Sequence, residues 1–151
     1  MTIETTQVPD TMTSEDFFSG SLLFQALDDQ GLEELKASAQ LVSAEAGDMI
    51  ITEGARDEFV YLVRSGKLSA WTSRTGRDVK LGDLEPGSIF GEIAELGQIA
   101  RTATVKAETE CNLTRFPGER FMEILGRYPK ARESLTNIVL KRAEDNLDKT
   151  L

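Results

Sequence analysis

Histidine is absent from all 151 residues. That removes Ser-His-Asp and Cys-His catalysis, imidazole general bases and histidine-rich metal centres. Cysteine occurs once, at Cys111, so no intramolecular disulfide and no cysteine-ligated zinc or iron–sulfur site can form within one chain. Long apolar runs are missing too. The longest, Phe59 to Val63, has five residues, against about 20 for a membrane-spanning helix and about 7–15 for a signal-peptide core. Basic residues are scarce, 17 against 26 acidic ones, for a net charge of -9. A broad basic face for nucleic acid or for an anionic membrane is therefore not expected. The polar, threonine-rich start of the chain suits a cytoplasmic protein whose residues 1–14 are a flexible N-terminus.

The acidity is local. Residues 1–40 carry eight acids and one base, residues 41–130 fourteen and twelve, and residues 131–151 four of each. A solvated helical face explains the N-terminal excess most simply.

The apolar pattern changes twice along the chain. In residues 15–39, Leu22, Leu23, Ala26 and Leu27 recur at helical spacing, followed by Leu32, Leu35 and Ala39 after Gly31. Ser14 suits the cap of the first helix, with Glu15 and Asp16 in its first turn. From Gln40 to Phe116 short apolar stretches take over. They are Met49–Ile51, Phe59–Val63, Leu68–Trp71, Ser88–Phe90, Thr102–Val105 and Cys111–Phe116, with glycines at 47, 54, 66, 76, 82, 87 and 91 between them. Short strands punctuated by glycine turns predict an antiparallel sandwich or barrel. Cys111 and Trp71 fit this scheme as a buried small hydrophobe and a strand-surface residue. Over 117–150 the helical period returns, with Phe121, Ile124 and Leu125 on one face and Pro129 placed to open a final helix. No Pro/Ser/Gly linker separates these parts, so residues 15–151 are expected to form one domain, with its sandwich at 40–116.

The stretch from Pro86 to Val105 carries chemistry. Gly91 follows a predicted strand, and Glu92 to Leu96 can form a helical turn whose free backbone N–H groups suit a phosphate. Nine residues beyond Glu92 comes Arg101, whose guanidinium fork can pair with two phosphate oxygens. Thr102 adds a hydroxyl. Glu92 is an acceptor suited to a sugar hydroxyl. Together these groups would hold a sugar-phosphate from both ends.

These residues resemble the phosphate-binding cassette of cyclic nucleotide-binding domains, the family of the catabolite activator protein and of cyclic-nucleotide-dependent kinase regulatory subunits. Phe90-Gly91-Glu92-Ile93-Ala94 and Arg101-Thr102-Ala103-Thr104-Val105 match its two halves at the family's spacing. Gly47-Asp48-Met49-Ile50-Ile51-Thr52-Glu53-Gly54, Phe59 to Val63 and Ser65-Gly66-Lys67-Leu68 are similar to its first strands and turns. Two positions depart. Ala100 stands where the family usually has proline, which would stiffen the loop. Glu95 stands where an apolar residue is usual. Neither change removes a binding group.

The resemblance implies a mainly β fold with flanking helices: a double-stranded β-helix (jelly-roll, cupin-like) sandwich with N-terminal helices and C-terminal hinge and lid helices. It also implies that Arg101 and the N–H groups around Gly91 and Ala103 hold a cyclic phosphate. Glu92 would take the ribose 2′-hydroxyl, and Ile93 and Ala94 would line the floor. Counting from Pro129, the base-proximal positions fall at Arg142 and Asn146. Read as helix residues alone, these two suit solvent as well as a ligand. Thr102 accompanies cAMP in some relatives and cGMP in others. The expected ligand is cAMP, then cGMP, with no metal and no other cofactor.

The reading at this point is a receptor that switches a protein partner through its C-terminal helix, and not an enzyme. The chain has only four residues past Leu147, so no helix-turn-helix of about 50 residues is expected after it, nor any direct contact with nucleic acid or membrane. An apolar seam of Leu140, Ala143, Leu147 and Leu151 suits a homodimer or packing on the sandwich. The competing readings are a degenerate module that serves only protein contact and a receptor for another small anion. Glu92 argues for a ligand with a ribose-like hydroxyl.

Overall fold

A computed structural model describes residues 4–8, 12, 22–55, 58–73, 76–91 and 103–150. Its elements in chain order are β1 (Glu4–Gln7), a 3₁₀ turn (Leu22–Ala26), α1 (Asp29–Ser38), β2 (Gln40–Ala44), β3 (Met49–Ile51), β4 (Phe59–Ser65), β5 (Leu68–Thr72), β6 (Val79–Leu84), β7 (Ile89–Phe90), β8 (Thr104–Ala107), β9 (Cys111–Pro117), α2 (Gly118–Leu125) and α3 (Pro129–Thr150).

The strands form two antiparallel sheets. One has the order β1-β2-β9-β4-β7 and the other β3-β8-β5-β6. This is the jelly-roll sandwich expected from the sequence, with helices before and after it. All six expected strand stretches are strands, with ends shifted by up to two residues. Strands β2 and β6 were not among them. In β6, Lys80, Gly82 and Asp83 break the apolar run, and it pairs with β5 nonetheless.

The N-terminus differs from the expectation as well. Glu4–Gln7, placed in the flexible segment, forms edge strand β1, paired with Ser43 to Gln40 of β2. Its four residues are exposed. The strand is held by main-chain bonds, which leave no apolar signature. The expected Ser14 cap lies outside the described residues.

Alternation along the first sheet divides the core in two. Val60 and Leu62 of β4 face the helices, whereas Tyr61 and Val63 face the sandwich interior. Phe116 of β9 joins the helical layer, and Cys111 and Leu113 the interior. In the helical layer, Phe116 packs on Phe24 and Phe121 with ring centroids 6.2 and 5.4 Å away. Cys111 is fully buried, as expected, and desolvation pushes its thiol up from the ordinary value.

Among the described residues, six glycines take positive φ: 47, 54, 66, 76, 87 and 91. Gly82 is not a turn residue. It lies inside β6 opposite Ala70, where the register shifts between Ala70 and Trp71.

The helices follow from local signals. Asp28 caps α1, its Oδ1 accepting from Gly31 N–H at 2.9 Å. Pro117 closes β9 and precedes α2, Gly126 ends α2, and Pro129 opens α3. A polar latch joins α1 to the α2–α3 corner. Tyr128 Oη donates to Asp28 Oδ1 at 2.7 Å, and Glu34 receives Arg127 at 2.5 Å and Arg120 at 3.4 Å. Among the described residues, no helix is long and apolar enough to cross a membrane.

Candidate nucleotide site

The candidate site lies where the chain passes from one sheet to the other. Strand β7 is an edge strand of the first sheet, and β8 lies within the second. The segment joining them carries the cassette residues.

On the incoming side, Tyr61 and Phe90 sit opposite each other across β4 and β7. Their rings stack at 5.0 Å with planes 8° apart. The turn before β7 is closed by Gly87 N–H to Val63 O at 2.8 Å and Val63 N–H to Ser88 O at 2.9 Å. Gly91 follows at φ +93°, a conformation that costs a residue with Cβ about 1–2 kcal/mol. The glycine thus has a local reason to stand at the end of β7, in addition to the motif it belongs to.

On the outgoing side, Ala103 is half-buried and leads into β8. Val105 and Ala107 point into the sandwich interior. Thr104 Oγ1 accepts from Glu53 N–H at 3.0 Å, which fixes the start of β8 to the turn after β3. Glu53 also accepts from Ser73 N–H at 2.9 Å and from the Thr72 hydroxyl at 2.5 Å. Sequence reasoning placed Glu53 in a family-like patch and gave it no role. These three partners are 51, 20 and 19 residues away, beyond any local pattern.

Of the expected site residues, the structure describes Gly91 and Ala103 at the two ends of the cassette. Glu92, Ile93, Ala94, Arg101 and Thr102 lie outside the described residues. Arg142 is half-buried on α3, 7 and 11 positions beyond the buried Leu135 and Ala131, which puts all three on one helical stripe. Asn146 falls within the helix, but its side chain is outside the described residues. Helix α3 packs against the 3₁₀ turn and against β6. Leu140 points away, 62% exposed.

A family model for the cyclic nucleotide-binding domain matches residues 41–128, from β2 through α2 to Tyr128. The chain belongs to the cyclic nucleotide-binding domain family. Such domains occur within larger regulatory proteins, and three comparisons illustrate the range. Human potassium/sodium hyperpolarization-activated cyclic nucleotide-gated channel 4 is 37% identical over 98 residues, 65% of this domain's chain and 8% of the channel. The cAMP-bound regulatory domain of Toxoplasma gondii PKA is 30% identical with a TM-score of 0.72, over 79% of this chain and 47% of that one. The Thermus thermophilus catabolite activator protein aligns with a TM-score of 0.72 at 26% identity, over 83% and 60% of the two chains. This cyclic nucleotide-binding domain thus spans a small part of the channels it matches and about half of the kinase regulatory chain.

Proposed function

We propose that the chain is a cyclic nucleotide receptor, for cAMP and then cGMP, that acts as a ligand-controlled switch on a protein partner. The observation that carries this reading is the presence of both cassette halves at family spacing, one leaving β7 and the other continuing into β8. The cAMP-bound state of the T. gondii relative supports the choice of ligand.

In this reading Arg101 forks onto the cyclic phosphate, assisted by backbone N–H groups near Gly91 and Ala103. Glu92 accepts from the ribose 2′-hydroxyl, Ile93 and Ala94 form the floor, and Thr102 contributes to the choice of base. Arg142 and Asn146 approach the base from α3. The half-buried position of Arg142, on the stripe that faces the domain, supports its place in this set. A nucleotide touching both the cassette and α3 binds one position of the helix more tightly and shifts its population. The exposed side of α3, where Leu140 lies, would then present a changed surface to a protein partner or to a second copy. No reaction is assigned, since each of these groups binds and none is placed as a nucleophile or general base.

Calorimetric titration of the purified chain, stripped of carried nucleotide, tests the reading. Wild type should bind cAMP at micromolar concentration or tighter, and cGMP more weakly. Arg101→Ala should abolish binding without unfolding the protein, and Glu92→Ala should weaken it less, because a hydroxyl contact is lost rather than the phosphate clamp. Full-strength binding by Arg101→Ala would overturn the cassette assignment. A folded wild type that takes neither nucleotide would leave the protein-contact module or a receptor for another small phosphate-containing ligand.

A further inference from the structure

Glu53 stands at one end of the second sheet, between three segments that no local pattern connects. Its backbone N–H donates to Thr104 Oγ1 (3.0 Å), the first residue of β8. Its carboxylate accepts from Ser73 N–H (2.9 Å) and from the Thr72 hydroxyl (2.5 Å), where β5 ends. Thr72 is 1% exposed, so its hydroxyl has little access to water and needs a protein partner. Ser73 is tied in turn to the far side of the same hairpin, its hydroxyl donating to Asp78 Oδ1 at 2.6 Å. Gly54 follows Glu53 at φ +84°, with open space where a Cβ would lie, and turns the chain beyond it.

The consequence concerns the residue before Thr104. Ala103 is bonded directly to the residue the latch holds, and it supplies one of the N–H groups assigned above to the phosphate. A hydrogen bond at Thr104 Oγ1 limits how far Ala103 can move. The carboxylate limits how far the Glu53 turn itself can move, because it is anchored to the β5–β6 hairpin. Strand pairing is uneven on the two sides of this end: β5 pairs along all of β8, with Trp71 opposite Thr104, whereas β3 pairs with β8 at only two positions, with a register shift between them, and the Glu53 latch ties that weaker side.

We propose that Glu53 is a positioning residue for the cyclic nucleotide site, holding the Ala103–Thr104 end of the phosphate cradle through its latch to Thr104, Thr72 and Ser73. This rests on the receptor reading above. The latch touches no ligand. It sets the affinity by preorganising the groups that do.

The test compares cAMP affinity and thermal midpoint for wild type, Glu53→Ala, Glu53→Gln, Thr104→Val and Thr104→Ser. Glu53→Ala removes the carboxylate bonds to Thr72 and Ser73 and should weaken cAMP binding by about tenfold, the scale of one or two net hydrogen bonds. Glutamine can offer its carbonyl to Ser73 N–H and its amide to the Thr72 oxygen, so Glu53→Gln should stay within about twofold of wild type. Thr104→Val keeps the branched strand residue and loses the hydroxyl. It should weaken binding, and Thr104→Ser should restore it. The losses of Glu53→Ala and Thr104→Val should fall short of additive in the double variant, because both act on one latch. A folded Glu53→Ala with wild-type affinity overturns the proposal, as does a Glu53→Gln as weak as the alanine variant. If Glu53→Ala does not fold, the Thr104 pair decides alone, and equal affinities for valine and serine overturn it. Wild type that binds no cyclic nucleotide refutes the receptor reading and this proposal with it. Binding by wild type together with unchanged variants refutes this proposal alone.

Discussion

Replacing Gly66 with alanine isolates a steric constraint that can be worked from the structure. Gly66 lies between β4 and β5 at φ +89°. A Cβ added there would meet the Glu110 carbonyl oxygen at 2.3 Å, Cys111 Sγ at 2.7 Å and Cys111 Cα at 2.8 Å. Two of these atoms are backbone, and Cys111 is fully buried at the start of β9, so none can swing aside. Left-handed backbone with a Cβ costs about 1–2 kcal/mol. Forcing extra volume into a packed site adds about 1–3 kcal/mol. Gly66→Ala should therefore destabilise by about 2–5 kcal/mol, a large part of a typical folding free energy of about 5–15 kcal/mol. Gly47 provides the control. Its φ is +93°, with nothing within 4 Å of the added atom, so Gly47→Ala should cost only the backbone strain of about 1–2 kcal/mol. Urea unfolding followed by the fluorescence of Trp71, the single tryptophan, measures both. If Gly66→Ala costs no more than Gly47→Ala, the close approach of β9 to this turn is wrong.

Other outcomes follow from the helical layer. Phe121→Ala empties a fully buried site between Phe24 and Phe116 and should cost about 3–5 kcal/mol in the same urea assay; a loss under 1 kcal/mol would contradict the packing. The hydrogen bond from Tyr128, then that from Gly31 N–H, holds the Asp28 carboxyl below its ordinary value. A depressed folded value means that the stabilisation is present above the unfolded value and is lost as pH falls through the folded one. Tyr128→Phe should therefore raise the Asp28 titration midpoint seen by NMR and flatten the acid limb of the stability profile. An unchanged midpoint would show that the Tyr128 bond is not formed in solution.

The candidate site was partly legible because its signal is local. Phe90 to Ala94 and Arg101 to Val105 are contiguous runs that can be matched to a family motif without knowing what packs around them. Glycines at 47, 54, 66, 76, 87 and 91 marked turns for the same reason, since positive φ favours glycine whatever surrounds it. Gly82 looked identical in the sequence and lies in a strand, because a glycine is also tolerated where a ladder shifts register. Strand β1 escaped notice because its pairing uses backbone groups that every residue carries.

What the sequence by itself determined is the succession of a helical start, a strand-rich middle from Gln40 and a helical end, six of the strands, the exclusion of histidine and intramolecular disulfide chemistry, and the cassette motif. These depend on period, turn residues and composition, which act over a few neighbours. The tertiary structure decided which strands became neighbours, so that β4 lies between β9 and β7. It buried both faces of the first sheet and brought Tyr128 to Asp28, a hundred residues away. It also gave Glu53 its partners. Hydrogen bonds of such separation form only after burial has brought the segments together, and a chain read from one end carries no local trace of them.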